Sequence, residues 1–241
     1  MAEGLDYLRE FNFTSMVLRL VLAMLVGGLI GFEREKKRRP AGFRTYMLVA
    51  IGAALTVILS QYLDYMLSID WAATAELMGI KTDVSRFGAQ VINGVGFLGA
   101  GTIIVTGRQE VKGLTTAAGL WASACMGLAV GAGFYECVVI GFALIGFSMN
   151  VLPAIEDAIL ANSRNLNIYV EMDNIESLGT IANRMKAQGF RLFDTDISKE
   201  QHEHMSQVNA VFSVHLPKKQ QHAEILAMLS TVDGIISIEE I

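Results

Sequence analysis

The stretch Asp83–Thr106, DVSRFGAQVINGVGFLGAGTIIVT, decides how this chain is read. Val91–Thr106 is apolar enough to enter a membrane, yet it is crowded with Gly94, Gly96, Gly99 and Gly101 and accompanied by Arg86, Gln90 and Asn93. Read as a helix, Arg86, Gln90, Asn93, Phe97 and Gly101 step by three or four residues and share one face. Amide and guanidinium groups at membrane depth need partners inside the protein. Glycine in a membrane helix lets another backbone come close or lets the helix break. The expectation is a segment at a protein-filled centre, with the other helices built against it.

Composition agrees with a membrane setting. Of 241 residues, 52% are hydrophobic and the mean hydropathy is +0.42, above the usual range of a soluble domain. A net charge of −5 offers no attraction to nucleic acid. Cys125 and Cys137 both fall in apolar runs and read as buried free thiols rather than a disulfide framework. The opening MAEGLDYLREFNF has no basic region before its apolar run and no small-residue cleavage site, so no removable signal peptide is expected.

Outward from the central stretch, four more apolar runs have crossing length. Ser15–Phe32 is the first, with Arg19 in its first turn expected to snorkel to the interface and Gly27–Gly31 forming a small-residue contact pair. The loop EREKKRRPAGFR, Glu33–Arg44, carries most of the basic charge and should face the cytoplasm. Tyr46–Leu63 returns outward, Asp64–Arg86 lies outside, and Ser85–Thr106 comes in. Leu114–Gly131 goes out, its Thr115, Gly119, Ser123, Gly127 and Gly131 spaced by four as a packing stripe. Phe134–Leu152 comes back and is expected to end at Pro153. This is a membrane all-α bundle of five transmembrane helices over residues 1–153, N-terminus outside and C-terminus inside, followed by a linker helix over 154–165.

Beyond residue 165 the periodicity changes. Leu166–Glu171, Phe190–Ile197, Val208–Leu216 and Ile235–Ile241 alternate like strands, and Ser177–Gln188 and Lys218–Leu229 have helical spacing. The order βαββαβ predicts a soluble α+β ferredoxin-like domain over 166–241.

Three clusters are candidate functional groups. The first is Asp83, Arg86, Gln90, Asn93, Gly94 and Gly99, where carbonyls of a broken Gly94–Gly101 helix would be able to hold a hydrated cation. The second is Glu33, Arg34 and Glu35 with Arg44 across the turn, a gate or docking surface in one reading and ion pairing plus lipid attraction in the other. The third is Thr115 and Thr116 after Gly113, at a helix start whose free amides attract anions and which a threonine is expected to cap. His202-Glu203-His204 puts two imidazoles on one strand face but supplies only two zinc ligands, so a solvated hairpin is expected. No nucleophile–base pair, phosphate-binding loop or ligand cluster suggests an enzyme.

Four separated motifs, GGLIGFERE (Gly27–Glu35), AGFRTYMLVAIGA (Ala41–Ala53), SRFGAQVINGVGFLGAG (Ser85–Gly101) and VKGLTTAAGLWASA (Val111–Ala124), resemble the MgtC/SapB family of bacterial inner-membrane proteins. The resemblance covers roughly the first two-thirds of the chain. It implies an association with growth at low magnesium, either as a magnesium transporter or as a regulator of other membrane machines. Some members of the family carry a cytoplasmic ACT-like domain, which Leu166–Ile241 resembles; in such domains the turn corresponding to Asp173–Ser177 often binds small effectors.

Magnesium prefers oxygen ligands from one or two carboxylates, and the apolar spans contain no Asp or Glu, so a regulator is the first expectation. It acts as a homodimer in the lipid bilayer or with a larger membrane transport protein, without a cofactor. The alternative is a magnesium carrier with its path along Asp83–Gly101.

Overall fold

The computed structural model describes residues 7–106, 111–160, 163–202, 205–217 and 222–240. The chain divides into two compact units, Met1–Val151 and Leu152–Ile241.

The first unit is helical. α1 (Phe13–Lys36), α2 (Phe43–Tyr65, extended by a π-helical turn to Asp70), α3 (Ala72–Met78), α4 (Ser85–Ala100), α5 (Leu114–Ala132) and α6 (Tyr135–Leu160) follow in order, with a short hairpin of β1 (Ile104–Val105) and β2 (Val111–Lys112) between α4 and α5. Among the described residues, four helices are long and apolar enough to cross a bilayer: α1, α2 with its extension, α5, and α6 from Tyr135 to Glu156. The expected crossing Ser85–Thr106 is shorter than its apolar run. α4 has 16 residues, about 24 Å at 1.5 Å per residue, and stops where the chain turns at Gly101–Thr102 into the hairpin. Gly113, at φ 99°, opens α5 and lies so close to the Thr102 carbonyl that no side chain would fit.

The centre of the bundle is α2, not α4. α1 reaches it through Gly27 and Gly31: an added Cβ at Gly27 would sit 2.7 Å from both Ala50 Cβ and the Tyr46 carbonyl oxygen, and one at Gly31 2.8 Å from Tyr46 Cβ. α5 reaches its other side through Gly119 on the Tyr46 hydroxyl, Gly127 on the Ala50 carbonyl and Gly131 on the Ala54 carbonyl. Tyr46, Ala50, Ala53 and Ala54 are accordingly buried. Lipid tails are as apolar as side chains, so close van der Waals contact between backbones supplies the association.

α4 lies on the flank and turns the opposite face inward from the one its polar row suggested. Val95 and Gly99 are buried and Gly88 and Val91 half-buried, while Arg86, Gln90, Asn93, Gly94 and Phe97 are exposed. The two faces lie roughly 180° apart at 100° per residue. Gly99 fits against α5, where an added Cβ would lie 3.3 Å from Ala117 Cβ, whereas Gly94 and Gly96 have nothing within 4 Å. The aliphatic, small face gives the closer fit to α5, so it wins the inward position.

α6 continues through Pro153, where the sequence predicts a stop and a separate linker helix. A proline removes the N–H that would bond the carbonyl four residues back. That carbonyl belongs to Met149, and it accepts instead from Lys37 Nζ at 3.3 Å. Cys125 is half-buried and Cys137 exposed, so the expected burial of both thiols does not hold for the second.

In the second unit, β3 (Asn165–Met172), α7 (Ile175–Ala187), β4 (Arg191–His202), β5 (Met205–His215), α8 (His222–Leu229) and β6 (Ile235–Glu240) follow the expected βαββαβ order. The sheet order β4-β5-β3-β6 is antiparallel throughout, the ferredoxin-like arrangement. Leu166, Ile168, Val170 and Met172 alternate onto one face and pack with Phe212, Val214, Ile181, Met185, Ile225 and Leu229. At its edge His222 Nδ1 lies 2.7 Å from Glu240 Oε1. Residues 203 and 204 of the His202–His204 hairpin lie outside the described residues.

The packing at α2 makes a direct prediction. Gly127→Ala forces a methyl group into the Ala50 carbonyl and lowers stability by about 1–3 kcal/mol, read as a lower melting temperature in detergent. Gly94→Ala, in open space, leaves the melting temperature unchanged or slightly higher.

Candidate functional site

The candidate residues divide between the two ends of the bundle. At the Lys36–Phe43 end, the charged cluster Glu33, Arg34, Glu35 and Arg44 is separated into different tasks. Glu33 pairs with Lys37 at 2.7 Å, one turn on. Glu35 Oε2 accepts from the Phe43 backbone N–H at 3.0 Å and so caps α2, whose Gly42 offers no side-chain cap. Arg44 is exposed. Arg34 turns inward, is 7% exposed, and donates from Nη2 to Thr116 Oγ1 at 2.6 Å. Two groups singled out independently, 82 residues apart, thus meet at the start of α5.

Neither threonine caps α5. The residue before the helix is Gly113, which makes no side-chain cap bond. Thr115 is exposed, and Thr116 is buried with its hydroxyl engaged by Arg34. The Tyr46 hydroxyl donates to the Thr116 carbonyl at 3.3 Å and Ser123 Oγ donates to the Tyr46 carbonyl at 3.1 Å, which sets α2 and α5 level and parallel here.

At the opposite end lies a residue whose role sequence reasoning missed. Arg19 is 1% exposed and does not snorkel. Its guanidinium donates to Gln61 Oε1 and the Gly131 carbonyl, both at 2.9 Å, and to the Leu8 and Arg9 carbonyls at 3.1 and 2.8 Å. Gly133, at φ 80°, ends α5 and leaves room for it. A buried cation is tolerated here because the carbonyl end of a helix is partially negative. Gln61, a lone amide near the end of an apolar span, was the one signal in the sequence.

The Asp83–Gly101 set stays on the flank. Asp83 accepts from Ser85 N at 3.0 Å and Ser85 Oγ at 2.6 Å; these bonds, with Arg86 nearby, hold its carboxyl below the usual carboxylate range. Ser60 Oγ donates to the Val84 carbonyl at 2.8 Å and ties the start of α4 to α2. Among the described residues, the Gln90 and Asn93 side chains make no hydrogen bond. Beside them a groove of about 440 Å³ runs between α2 and α4, lined by Leu48, Val49, Gly52, Ala53, Thr56, Val91, Gly94, Val95 and Leu98. Its one polar side chain, Thr56, already donates to the Gly52 carbonyl at 2.7 Å. Among the described residues there is no group of three or more His, Cys, Asp or Glu placed to hold a metal ion.

Two outcomes follow. Arg19→Met strands three acceptors, the Leu8 carbonyl keeping the Ser15 and Tyr135 hydroxyls, and costs about 2–4 kcal/mol, measured by unfolding in detergent, whereas Gln61→Ala costs about 1 kcal/mol. Asp83 has a folded pKa below its unfolded one. Its contribution to the α4 start is therefore full above the ordinary carboxylate pKa and is lost as pH falls through the lowered value. A carboxyl-carbon NMR titration will place the Asp83 midpoint below that of an unstructured aspartate.

Known proteins share the sequence of these helices. A sequence model of the MgtC family matches residues 20–158. An uncharacterized protein of Haemophilus influenzae is 32% identical over 95% of this chain and 94% of its own length. The putative magnesium transporter YhiD of Escherichia coli is 35% identical over 67% of this chain and 72% of that one. Among solved structures, the ACT domain from GTP pyrophosphokinase of Chlorobium tepidum aligns over 32% of this chain and 96% of that domain, at 10% identity and a TM-score of 0.26.

Proposed function

The chain belongs to the MgtC family, and from that membership we propose that it is a non-enzymatic bacterial inner-membrane protein of magnesium homeostasis that regulates other membrane transport machinery. The observation that carries this reading is the groove between α2 and α4. Its walls are aliphatic and glycine apart from Thr56, whose hydroxyl is already bonded to the Gly52 carbonyl, a surface suited to another apolar helix and unsuited to a hydrated magnesium ion, which keeps its waters and seeks oxygen ligands. The groove lies beside Gly94, on the helix the sequence singled out as an ion path.

In this reading α4 crosses as a fifth, short span. The N-terminus lies outside, and the basic Glu33–Arg44 hairpin and the ferredoxin-like unit lie in the cytoplasm. The working unit is a homodimer. Gln90 and Asn93 are each donor and acceptor, so two copies at the same depth satisfy amides that lipid cannot. The groove then receives a helix of the larger transport protein. The name of the Escherichia coli relative favours the second reading, a magnesium carrier with its path along Asp83–Gly101.

Reconstitution separates the two. Liposomes holding the purified protein and a magnesium dye should show no protein-dependent flux; flux abolished by Asn93→Leu would establish the carrier. Gly94→Phe should leave the melting temperature unchanged, because nothing lies within 4 Å of that position, while growth of the source bacterium at low magnesium falls to the level of a deletion strain. Phe97→Cys in native membranes should crosslink to itself.

A further inference from the structure

α1 places a buried arginine against each end of α5, and the two ends are electrostatically opposite. At the carbonyl end, Arg19 meets four oxygen acceptors and the negative pole of the helix. At the amide end, Arg34 meets the positive pole. Its acceptors there are two neutral hydroxyls, Thr116 Oγ1 at 2.6 Å and that of Tyr46, and its buried Nε, like that of Arg19, has no acceptor. Among the described residues no carboxylate pairs with it: Glu33 is taken by Lys37 and Glu35 by the Phe43 amide.

The rest of this corner adds positive potential. The first α5 ladder bond inside the helix start runs from Ala117 N to Gly113 O, so the amides of Leu114, Thr115 and Thr116 precede the ladder and have no helical partner. α2 begins alongside and points the same way, since Tyr46 reaches the Thr116 carbonyl, but its own amide end is met by the Glu35 carboxylate, whereas that of α5 is not. A cation that is nine-tenths buried beside an uncapped amide end, with no counter-charge among the described residues, is unfavourable by itself. A bound anion removes the mismatch, as it accepts from guanidinium and backbone N–H together. Leu114 and Thr115 are exposed, so the corner is reached from outside. The Lys36–Arg39 run and Arg44, all exposed, concentrate anions near it.

We infer that Arg34 and the α5 start at Leu114–Thr116 form a phosphate-binding site. The shared chemistry is a phosphate group with free oxygens, carried by a lipid headgroup or present as free phosphate. The site goes beyond the proposed function and does not depend on it, since it stands equally in a regulator or a carrier.

The test uses the full chain. Melting temperature is measured in neutral detergent with inorganic phosphate or chloride at equal ionic strength, and in nanodiscs of phosphatidylcholine with or without phosphatidic acid. The variants are Arg34→Gln, Thr115→Glu and, as a control in the exposed loop, Arg39→Gln. Phosphate should raise the melting temperature of the wild type and Arg39→Gln by about 2–5 °C and leave Arg34→Gln and Thr115→Glu unmoved. Thr115→Glu alone should melt above the wild type, because its carboxylate takes the place of the anion at the helix start. This variant carries the test if Arg34→Gln does not fold. A rise with inorganic phosphate identifies the free ion, and a rise confined to phosphatidic acid identifies the headgroup. No rise from either source, or an equal rise in Thr115→Glu, overturns the site.

Discussion

The membrane unit depends on how closely two helices can approach the backbone of α2. Five glycines, Gly27 and Gly31 on one side and Gly119, Gly127 and Gly131 on the other, meet α2 at distances a methyl group would not permit. In water, burial of larger side chains would drive such contacts, but in lipid that gain is absent and intimate packing replaces it. The same approach sets the polar chemistry. It seats the Tyr46 hydroxyl in the notch at Gly119, brings Thr116 to Arg34, and places the Gly131 carbonyl on Arg19.

Around this triplet, α4 and α6 are attached more lightly. α6 buries 6% of its membrane window, against 44% for α1 and 50% for α5, so it belongs to the rim. It is held there in part by a polar accident of its sequence: Pro153 releases the Met149 carbonyl, and Lys37 from the α1 end takes it. α4 presents unpartnered amides outward, which is costly against hydrocarbon and is the reason the proposed contacts are drawn on that face.

The two buried arginines show why position along a helix matters as much as burial. They sit at the two ends of α5 with similar exposure, 1% and 7%. One is explained by its own surroundings. The other faces a pole of its own sign, a difference invisible to any measure of burial and the ground of the proposed phosphate site.

Much was legible in the residues themselves. Apolar length marked the helices, small residues spaced by four marked the α1 and α5 contact stripes, and alternation marked the strands of a βαββαβ domain, because these are local periodicities that a sequence carries directly. The tertiary structure alone decided which helix those stripes meet, which face of α4 turns inward, and where Arg19 and Arg34 end up. Periodicity shows that a helix has two unlike faces but not which neighbour covers either. Arg34 and Thr116 are 82 residues apart and Arg19 and Gly131 are 112 apart, so their pairing exists only once three helices have packed.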